Sequence, residues 1–149
     1  MPTSPTLSQQ VCFALYSASR ATTGLYRTVL KELDLTYPQY LAMLVLWDGD
    51  GLEVRELGRE LQLDSGTLSP LLKRLEHLGL VERRRLPEDE RRVLVRLTPA
   101  GRDLQAKAVD VPGRIAAATG LDHEELLALR ETLHRISTTL QTTESETTP

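Results

Sequence analysis

Apolar residues recur at helical spacing along the first part of the chain. Between Leu7 and Val29, apolar or small side chains stand three or four positions apart. Thr6 and Gln9 have the spacing of a capping box just before this pattern. The pattern therefore predicts a long amphipathic helix that begins near Leu7 and ends near Glu32.

A second, more apolar helix is predicted to follow. Thr36 and Gln39 form another possible capping box, and Pro38 suits the first turn of a helix. The run YLAMLVLW that comes next is almost entirely apolar, which indicates a buried helix. The sequence DGDG at residues 48–51 is expected to end it.

The middle of the chain changes from helical spacing to alternation. Residues 54–85 predict a short helix, a tight turn near residues 62–64 and a second helix from about Ser65 to Leu78, which Gly79 closes. Polar and apolar residues then alternate in LVERRRL and RRVLVRLT, with PEDE between them. Alternation of this kind predicts a two-stranded ribbon with basic side chains.

Two further helices are predicted near the C-terminus. Thr98 caps the first, Pro99 begins it, and Pro112 is expected to kink or break it. Asp122 and Glu125 mark the start of the second. The apolar residues of that helix form a strict heptad seam of Leu126, Leu129, Leu133, Ile136 and Leu140.

This order of elements predicts a mainly α fold with a small β-wing, a winged helix-turn-helix, in one domain over residues 1–149. The winged helix-turn-helix is expected at about 52–98. The terminal apolar stripes are too long for one small domain to cover, so residues 7–33 and 99–141 are predicted to be dimerisation helices that pair with a second copy. Ordinary packing within one chain remains an alternative for either stripe taken alone. The polar residues 142–149 are predicted to be disordered.

Composition narrows the possible classes of protein. No apolar run approaches the 18 or so residues that span a bilayer, and the first ten residues lack the features of a signal peptide, so we expect a cytoplasmic protein without a membrane partner. The only cysteine is Cys12, which excludes an intramolecular disulfide and a cysteine-rich zinc site. His77, His123 and His134 are scattered, and no metal or cofactor is expected.

Charge is unevenly distributed along the chain. The net charge is −3, yet residues 73–102 contain nine Lys or Arg and five Asp or Glu, a local balance of +4 that leaves −7 for the rest. One basic face on an acidic body is typical of a protein that binds nucleic acid. A solvated charged hairpin would have the same composition.

The helix from Ser65 has the pattern of a recognition helix, whose exposed small, polar or basic residues reach DNA in the major groove. Its predicted DNA-binding residues are Ser65, Thr67, Ser69, Lys73 and Arg74. In the ribbon, an arginine beyond the tip can enter the narrow minor groove, and Arg91 is the best candidate. The other DNA-binding residues predicted in the ribbon are Arg83, Arg84, Asp89 and Arg92.

Here the sequence resembles the MarR family of regulators over residues 10–140. The resemblance rests on Asp89 and Arg91, followed after five residues by Leu97-Thr98 and then Gly101. It implies a winged-helix homodimer that reads a palindromic operator in double-stranded DNA, with Asp89 fixing the wing and its arginine. The two half-sites would then lie about one DNA turn apart.

A lone cysteine beside an apolar helical stripe, such as Cys12, is more often a packed residue than a reactive one. Together with Tyr26 and Tyr37 in LDLTYPQY, however, it resembles the organic hydroperoxide regulator branch of the family. That resemblance implies that Cys12 is oxidised by organic hydroperoxides, that the tyrosine hydroxyls bond to it, and that oxidation releases DNA. Cys12 and Tyr26 would stand about 21 Å apart on one helix, so any contact between them would cross the dimer. With no second cysteine, a mixed disulfide with a low-molecular-weight thiol or a sulfenamide would follow.

Three alternatives stay open at this stage. The chain could be a MarR-type repressor that answers to a small aromatic ligand, with Cys12 merely packed. It could be a thiol peroxidase, although no Thr or Arg near Cys12 forms a peroxide-activating loop, and we therefore expect no enzyme. It could also be an architectural DNA binder without an effector, which would bind DNA in a salt-dependent way without operator preference.

Overall fold

The computed structural model describes residues 5–147, and the chain forms two units whose boundary in the sequence falls between Val111 and Pro112. Two short 3-10 helices, Leu7–Gln9 and Leu30–Leu33, flank the first long helix. The elements of the first unit are α1 (Val11–Val29), α2 (Tyr37–Asp48), β1 (Leu52–Glu53), α3 (Val54–Leu61), α4 (Ser65–His77), β2 (Val81–Leu86), β3 (Asp89–Leu97) and α5 (Pro99–Ala108). Helix α6 (Val111–Thr119) begins on the last residue of the first unit, and α7 (His123–Thr147) lies in the second. The predicted fold class, mainly α with a small β-wing, is confirmed.

The N-terminal helix begins later than predicted. Thr6 makes no capping hydrogen bond, Gln10 is extended, and α1 begins only at Val11. At the other end, α1 gives way at Leu30 to a 3-10 turn that closes at Asp34 in the left-handed region, with φ of 55°. The predicted helix 7–33 is therefore three consecutive helical pieces.

Helix α2 forms the centre of the core, as its apolar sequence predicts. The capping box is present, with Gln39 N–H donating to Thr36 Oγ1 at 3.4 Å and Thr36 N–H donating to Gln39 Oε1 at 3.0 Å. Tyr40, Met43 and Leu46 on this helix are almost completely buried. The core positions that share this burial in neighbouring elements are Leu30, Leu57, Leu68, Leu72, Leu75, Val81 and Val95.

The predicted ribbon is present, and it is joined by a strand that the sequence did not predict. The sheet has the order β1-β3-β2, and both pairs are antiparallel. Val81 pairs with Leu97 at the base of the hairpin, and the register shifts between Arg85 and Leu86 near its tip. The two-residue strand β1 lacks the length at which alternation can be recognised.

Helix α5 packs tightly against the base of the wing. Thr98 caps it by accepting a hydrogen bond from Gly101 N–H at 3.0 Å, and the Thr98 hydroxyl donates to Gly79 O at 2.6 Å. Trp47 of α2 donates from Nε1 to Gly101 O at 2.8 Å. These bonds hold α2, the wing base and α5 together.

The C-terminal helices differ from the prediction in two places. The helix from Pro99 ends at Ala108, and Pro112 is the second residue of α6, where its missing N–H costs nothing. Asp122 and Glu125 start α7 as predicted. The segment 142–149 was predicted to be disordered, which is wrong as far as Thr147 because α7 continues to that residue. Residues 148 and 149 lie outside the described part. Between residues 5 and 147, no helix is both long and apolar enough to cross a membrane.

Candidate nucleic-acid interface and redox site

Helix α4 presents one apolar face and one polar face. Leu68, Leu71, Leu72 and Leu75 are buried, and they fall on one side of the helix because they are three or four residues apart. The predicted DNA-binding residues of this helix are all exposed, namely Ser65, Thr67, Ser69, Lys73 and Arg74. The burial pattern thus leaves these side chains on the solvent side of α4.

The turn before α4 aims the start of the helix. Gln62 adopts the left-handed conformation with φ of 55°, which ends α3 and redirects the chain. Asp64 then caps α4 by accepting a hydrogen bond from Thr67 N–H at 2.7 Å, and this bond lowers the pKa of the Asp64 carboxyl. The N-terminus of α4 is therefore fixed, with its first side chains in solvent.

At the tip of the wing, Asp89 Oδ1 accepts a hydrogen bond from Arg91 N–H at 3.0 Å. This bond fixes the backbone of Arg91, while its side chain is exposed. In the part of the chain that the structure describes, the Arg91 guanidinium makes no ion pair. A fixed backbone with an unpaired cation suits insertion into the minor groove.

Three other arginines of the wing are paired with carboxylates or carbonyls. Arg83 bonds Glu76 at 3.2 Å, and Arg84 bonds Glu82 at 3.2 Å. Arg85 donates to the Glu90 carbonyl at 3.0 Å.

Arg92 is also paired, because its Nε and Nη2 both donate to Glu53 Oε1. The two predicted residues Arg83 and Arg92 thus differ from Arg91 in having partners on the helix-turn-helix.

A groove of about 830 Å³ runs between α3, α4 and the wing. Arg55 and Arg59 of α3 line it together with Arg91, and neither is among the DNA-binding residues predicted from the sequence. Arg55 and Arg59 are four residues apart and so share one face of the helix, which could have indicated a DNA contact. An isolated pair of arginines is common on solvated helices, however, so the spacing alone did not predict one.

A second cleft, of about 880 Å³, lies beside the C-terminal half of α4. Arg27 near the end of α1 and Lys31 in the following 3-10 helix line it with Lys73 and Arg74. No ion pair is formed by these four cations in residues 5–147. The basic surface therefore extends beyond the predicted recognition helix and wing.

Cys12 is the second residue of α1 and is exposed. It is closer to the helix start than predicted, because α1 begins at Val11. Among the residues with described side chains, no group of three or more His, Cys, Asp or Glu is arranged to hold a metal.

The two tyrosines predicted to assist Cys12 are brought together. Tyr26 of α1 and Tyr37 of α2 stack with ring centroids 4.2 Å apart, and Tyr40 joins them at 5.9 Å from Tyr26. Burial, with the neighbouring Tyr37 and Tyr40, raises the pKa of Tyr26 to about 12. The hydroxyl of Tyr26 is therefore protonated at neutral pH and able to donate a hydrogen bond.

Cys12 lies away from this tyrosine cluster of Tyr26, Tyr37 and Tyr40. Helix α1 is continuous from Val11 to Val29, so the fourteen residues between Cys12 and Tyr26 correspond to about 21 Å along its axis. The structure thus brings two of the three predicted redox residues together. Tyr40 was not assigned, although its spacing of three from Tyr37 on α2 placed both on one helix face.

Comparison with known proteins identifies transcriptional regulators. The family profile described as "Transcriptional regulator SarA/Rot" matches residues 24–108. An organic hydroperoxide resistance transcriptional regulator of Bacillus subtilis (strain 168) is 48% identical over 134 residues, which cover 90% of this chain and 91% of that protein.

Solved structures match over almost the whole chain as well. Reduced AbfR bound to DNA is 34% identical, with a TM-score of 0.78 over 91% of this chain and 93% of that one. AbfR, from Staphylococcus epidermidis, has also been solved overoxidised on DNA and with a disulfide formed. BpsR of Bordetella bronchiseptica, whose DNA binding is regulated by 6-hydroxynicotinic acid, is 26% identical with a TM-score of 0.82 over 91% and 98%.

Proposed function

Since the chain belongs to the MarR/SarA-type family of winged-helix transcriptional regulators, we propose that it is a dimeric repressor that senses organic hydroperoxides through Cys12. Oxidation of Cys12 releases the protein from a palindromic operator. The observation that carries the proposal is an exposed cysteine in the first turn of α1, combined with a stacked pair of protonated tyrosines on the same chain. A regulator of chromosomal genes of this kind acts in the cytoplasm.

On DNA, α4 lies in the major groove and the wing reaches the adjacent minor groove. The residues that contact bases or phosphates are Ser65, Thr67, Ser69, Lys73, Arg74, Arg84 and Arg91. Asp89 holds the backbone of Arg91 in place. Exposure of the α4 residues and the unpaired state of Arg91 support this assignment. Two copies of α4 about 34–36 Å apart would read the two halves of a palindrome.

Dimerisation is supported by large apolar side chains that each unit leaves in solvent. Val11 is 68% exposed and Tyr16 is 58% exposed on α1, while Leu129 is 44% and Leu140 is 59% exposed on α7. Stripes of this kind on two helices are costly unless a second copy covers them. Sedimentation at micromolar concentration is expected to give a dimer, and a monomer would contradict this part of the proposal.

The redox step at Cys12 involves one oxygen transfer and then one thiol exchange. The thiolate attacks the peroxide oxygen distal to the organic group, so the O–O bond breaks and the alcohol leaves after taking a proton. Cysteine sulfenic acid remains on Cys12. A low-molecular-weight thiol then forms a mixed disulfide with Cys12 and releases water, or the backbone nitrogen attacks the sulfur and releases water as a sulfenamide forms.

Tyr26 and Tyr37 serve Cys12 of the partner protomer. Because about 21 Å of helix separates Cys12 from Tyr26 in one chain, the hydroxyls reach a thiolate only across the dimer. A hydroxyl that stays protonated donates to the thiolate and stabilises it. Oxidation at this contact would then change the interface that sets the distance between the two α4 helices.

The test compares wild type with Cys12→Ser on an operator duplex. Both reduced proteins are expected to bind it with the same affinity. Cumene hydroperoxide with a small thiol is expected to release the wild type and leave Cys12→Ser bound. Intact-mass spectrometry of the released wild type should show the added thiol. Equal release of both proteins would contradict a sensor based on Cys12.

A second candidate is a repressor that answers to a small aromatic acid. The match to BpsR over 91% of the chain favours it, because 6-hydroxynicotinic acid regulates DNA binding by that protein. This reading makes Cys12 a packed residue, whereas Cys12 is exposed in the single chain. Operator release by an aromatic acid from both wild type and Cys12→Ser would favour this candidate.

A further inference from the structure

The wing is attached to the helix-turn-helix by ion pairs that join different elements. Arg92 of β3 donates from Nε to Glu53 Oε1 at 3.0 Å, and its Nη2 bonds the same oxygen. The Glu53 side chain is only 13% exposed, whereas that of Arg92 is 43% exposed. Thirty-nine residues separate the two along the chain, so the pair is a tertiary contact.

Glu53 is itself held in a defined position. It immediately precedes α3, and its N–H donates to Glu56 Oε2 at 2.8 Å. The hydrogen bond from Arg92 lowers the pKa of the Glu53 carboxyl, and the nearby Arg55 and Arg59 act in the same direction. The carboxylate is therefore an ionised anchor at the start of α3.

A second pair attaches the wing to the recognition helix. Glu76 of α4 accepts from the Arg83 backbone N–H at 3.1 Å and from Arg83 Nη2 at 3.2 Å. One strand of the wing is thus held by a carboxylate on α4, and the other by the carboxylate of Glu53, which ends β1 and precedes α3. The cations of Arg83 and Arg92 each bond one of these carboxylates.

Arg92 is the immediate neighbour of Arg91, the cation at the tip of the wing. The hairpin register is irregular at this point, and the side chains of Arg91 and Arg92 both line the groove between α3, α4 and the wing. The ion pair therefore fastens β3 directly beside the arginine that reaches DNA.

We propose that Arg92 and Glu53 are positioning residues that orient the wing for operator reading, and that Arg92 makes no direct contact with DNA. This proposal rests on the proposed function as a DNA-binding regulator, and it revises the sequence-based assignment of Arg92. Removal of a negative charge near DNA ordinarily strengthens binding. The proposal predicts the opposite for Glu53, because loss of its charge frees the wing and weakens operator binding.

The experiment uses a duplex selected by the reduced wild type from a random-sequence library and a scrambled duplex of equal length. Glu53→Gln is expected to lose about threefold to fivefold in affinity for the selected duplex, the scale of a partly exposed ion pair. Its affinity for the scrambled duplex should be unchanged or slightly higher. If Arg92 bound phosphate directly, Glu53→Gln would free it and raise affinity for both duplexes, which would overturn the proposal.

Arg92→Gln tests the same pair from the other side. A positioning role predicts a similar loss of preference for the selected duplex and an unchanged dependence of affinity on salt. A lost phosphate contact would instead reduce the salt slope by about one and weaken both duplexes equally. Glu60→Gln is the matched control, since Glu60 is an exposed carboxylate of α3 that makes no ion pair within the described residues.

The exchanged double variant Glu53→Arg/Arg92→Glu keeps the total charge and should recover part of the preference. Thermal unfolding of each variant verifies that it is folded. Failure of the wild type to select any sequence would contradict the proposed function. Selection by the wild type with equal preference in Glu53→Gln and Arg92→Gln would contradict the positioning role alone.

Discussion

Gly101 lies where α5 meets the base of the wing, and it has no room for a side chain. A Cβ built on Gly101 would lie 2.1 Å from the carbonyl oxygen of Leu80 and 3.3 Å from Leu97 Cδ2. The first contact is with backbone, which cannot rotate away. Gly101→Ala therefore has to move the start of α5 by about 1 Å to restore ordinary van der Waals separation.

That movement would disturb both hydrogen bonds of Gly101. Its N–H donates to the Thr98 cap at 3.0 Å, and its carbonyl accepts from Trp47 at 2.8 Å. Overpacking costs about 1–3 kcal/mol, and the weakened cap and hydrogen bond cost about 1 kcal/mol each. Alanine returns about 1 kcal/mol through helix propensity. The free energy of unfolding should fall by about 3 kcal/mol.

Urea unfolding followed by circular dichroism measures this loss directly. Gly113→Ala is the matched control, because Gly113 also lies in a helix and a Cβ there meets nothing within 4 Å. The control should be neutral or slightly stabilising. An unchanged or higher unfolding free energy for Gly101→Ala would refute the close contact between α5 and Leu80.

The remaining predictions concern DNA binding, oxidation and pH. Arg91→Ala should weaken operator binding by about 1–3 kcal/mol in fluorescence anisotropy, and unchanged affinity would exclude its insertion into the minor groove. Tyr26→Phe should leave operator binding by the reduced protein intact but slow oxidation of Cys12 by about tenfold, which corresponds to the loss of one hydrogen bond to a charged group. An unchanged oxidation rate in stopped-flow measurements would show that Tyr26 does not act on Cys12. Because the pKa of Tyr26 is raised from 10.0 to about 12, the neutral form is favoured in the folded protein. Its contribution to stability is fully present below pH 10 and is lost as the pH rises toward 12. Unfolding curves across this range should show a smaller decline in Tyr26→Phe than in wild type, and equal declines would contradict the shifted pKa.

Much of the fold could be predicted because local signals were strong. Thr36 with Gln39, Asp64, Thr98, and Asp122 with Glu125 all cap helices, since short polar side chains next to apolar runs compete well for free N–H groups. The wing followed from simple alternation of residues.

The errors arose where a local signal was weak or was outweighed by context. Thr6 has the right spacing for a cap, but Gln10 is extended and the helix starts only at Val11. The polar segment after Leu140 has little to bury, yet it continues the helix that begins at His123. Polarity alone therefore did not distinguish a solvated helix end from a disordered tail.

The candidate site was predictable in its residue types but not in its pairings. Exposure of the α4 residues followed from the leucine spacing on that helix. Arg91 is unpaired, whereas its neighbour Arg92 bonds Glu53, which lies 39 residues away along the chain. The sequence does not distinguish the two arginines, because such a distant contact leaves no local signal. The stacking of Tyr26 on Tyr37 likewise depends on how α1 meets α2.

Sensing through Cys12 is tested most directly by operator binding before and after treatment with cumene hydroperoxide and a small thiol, with wild type and Cys12→Ser measured side by side. We expect equal affinity in the reduced state, release of wild type on oxidation, and continued binding by Cys12→Ser. Continued binding by the oxidised wild type, with the thiol adduct on Cys12 verified by mass spectrometry, would contradict sensing through Cys12.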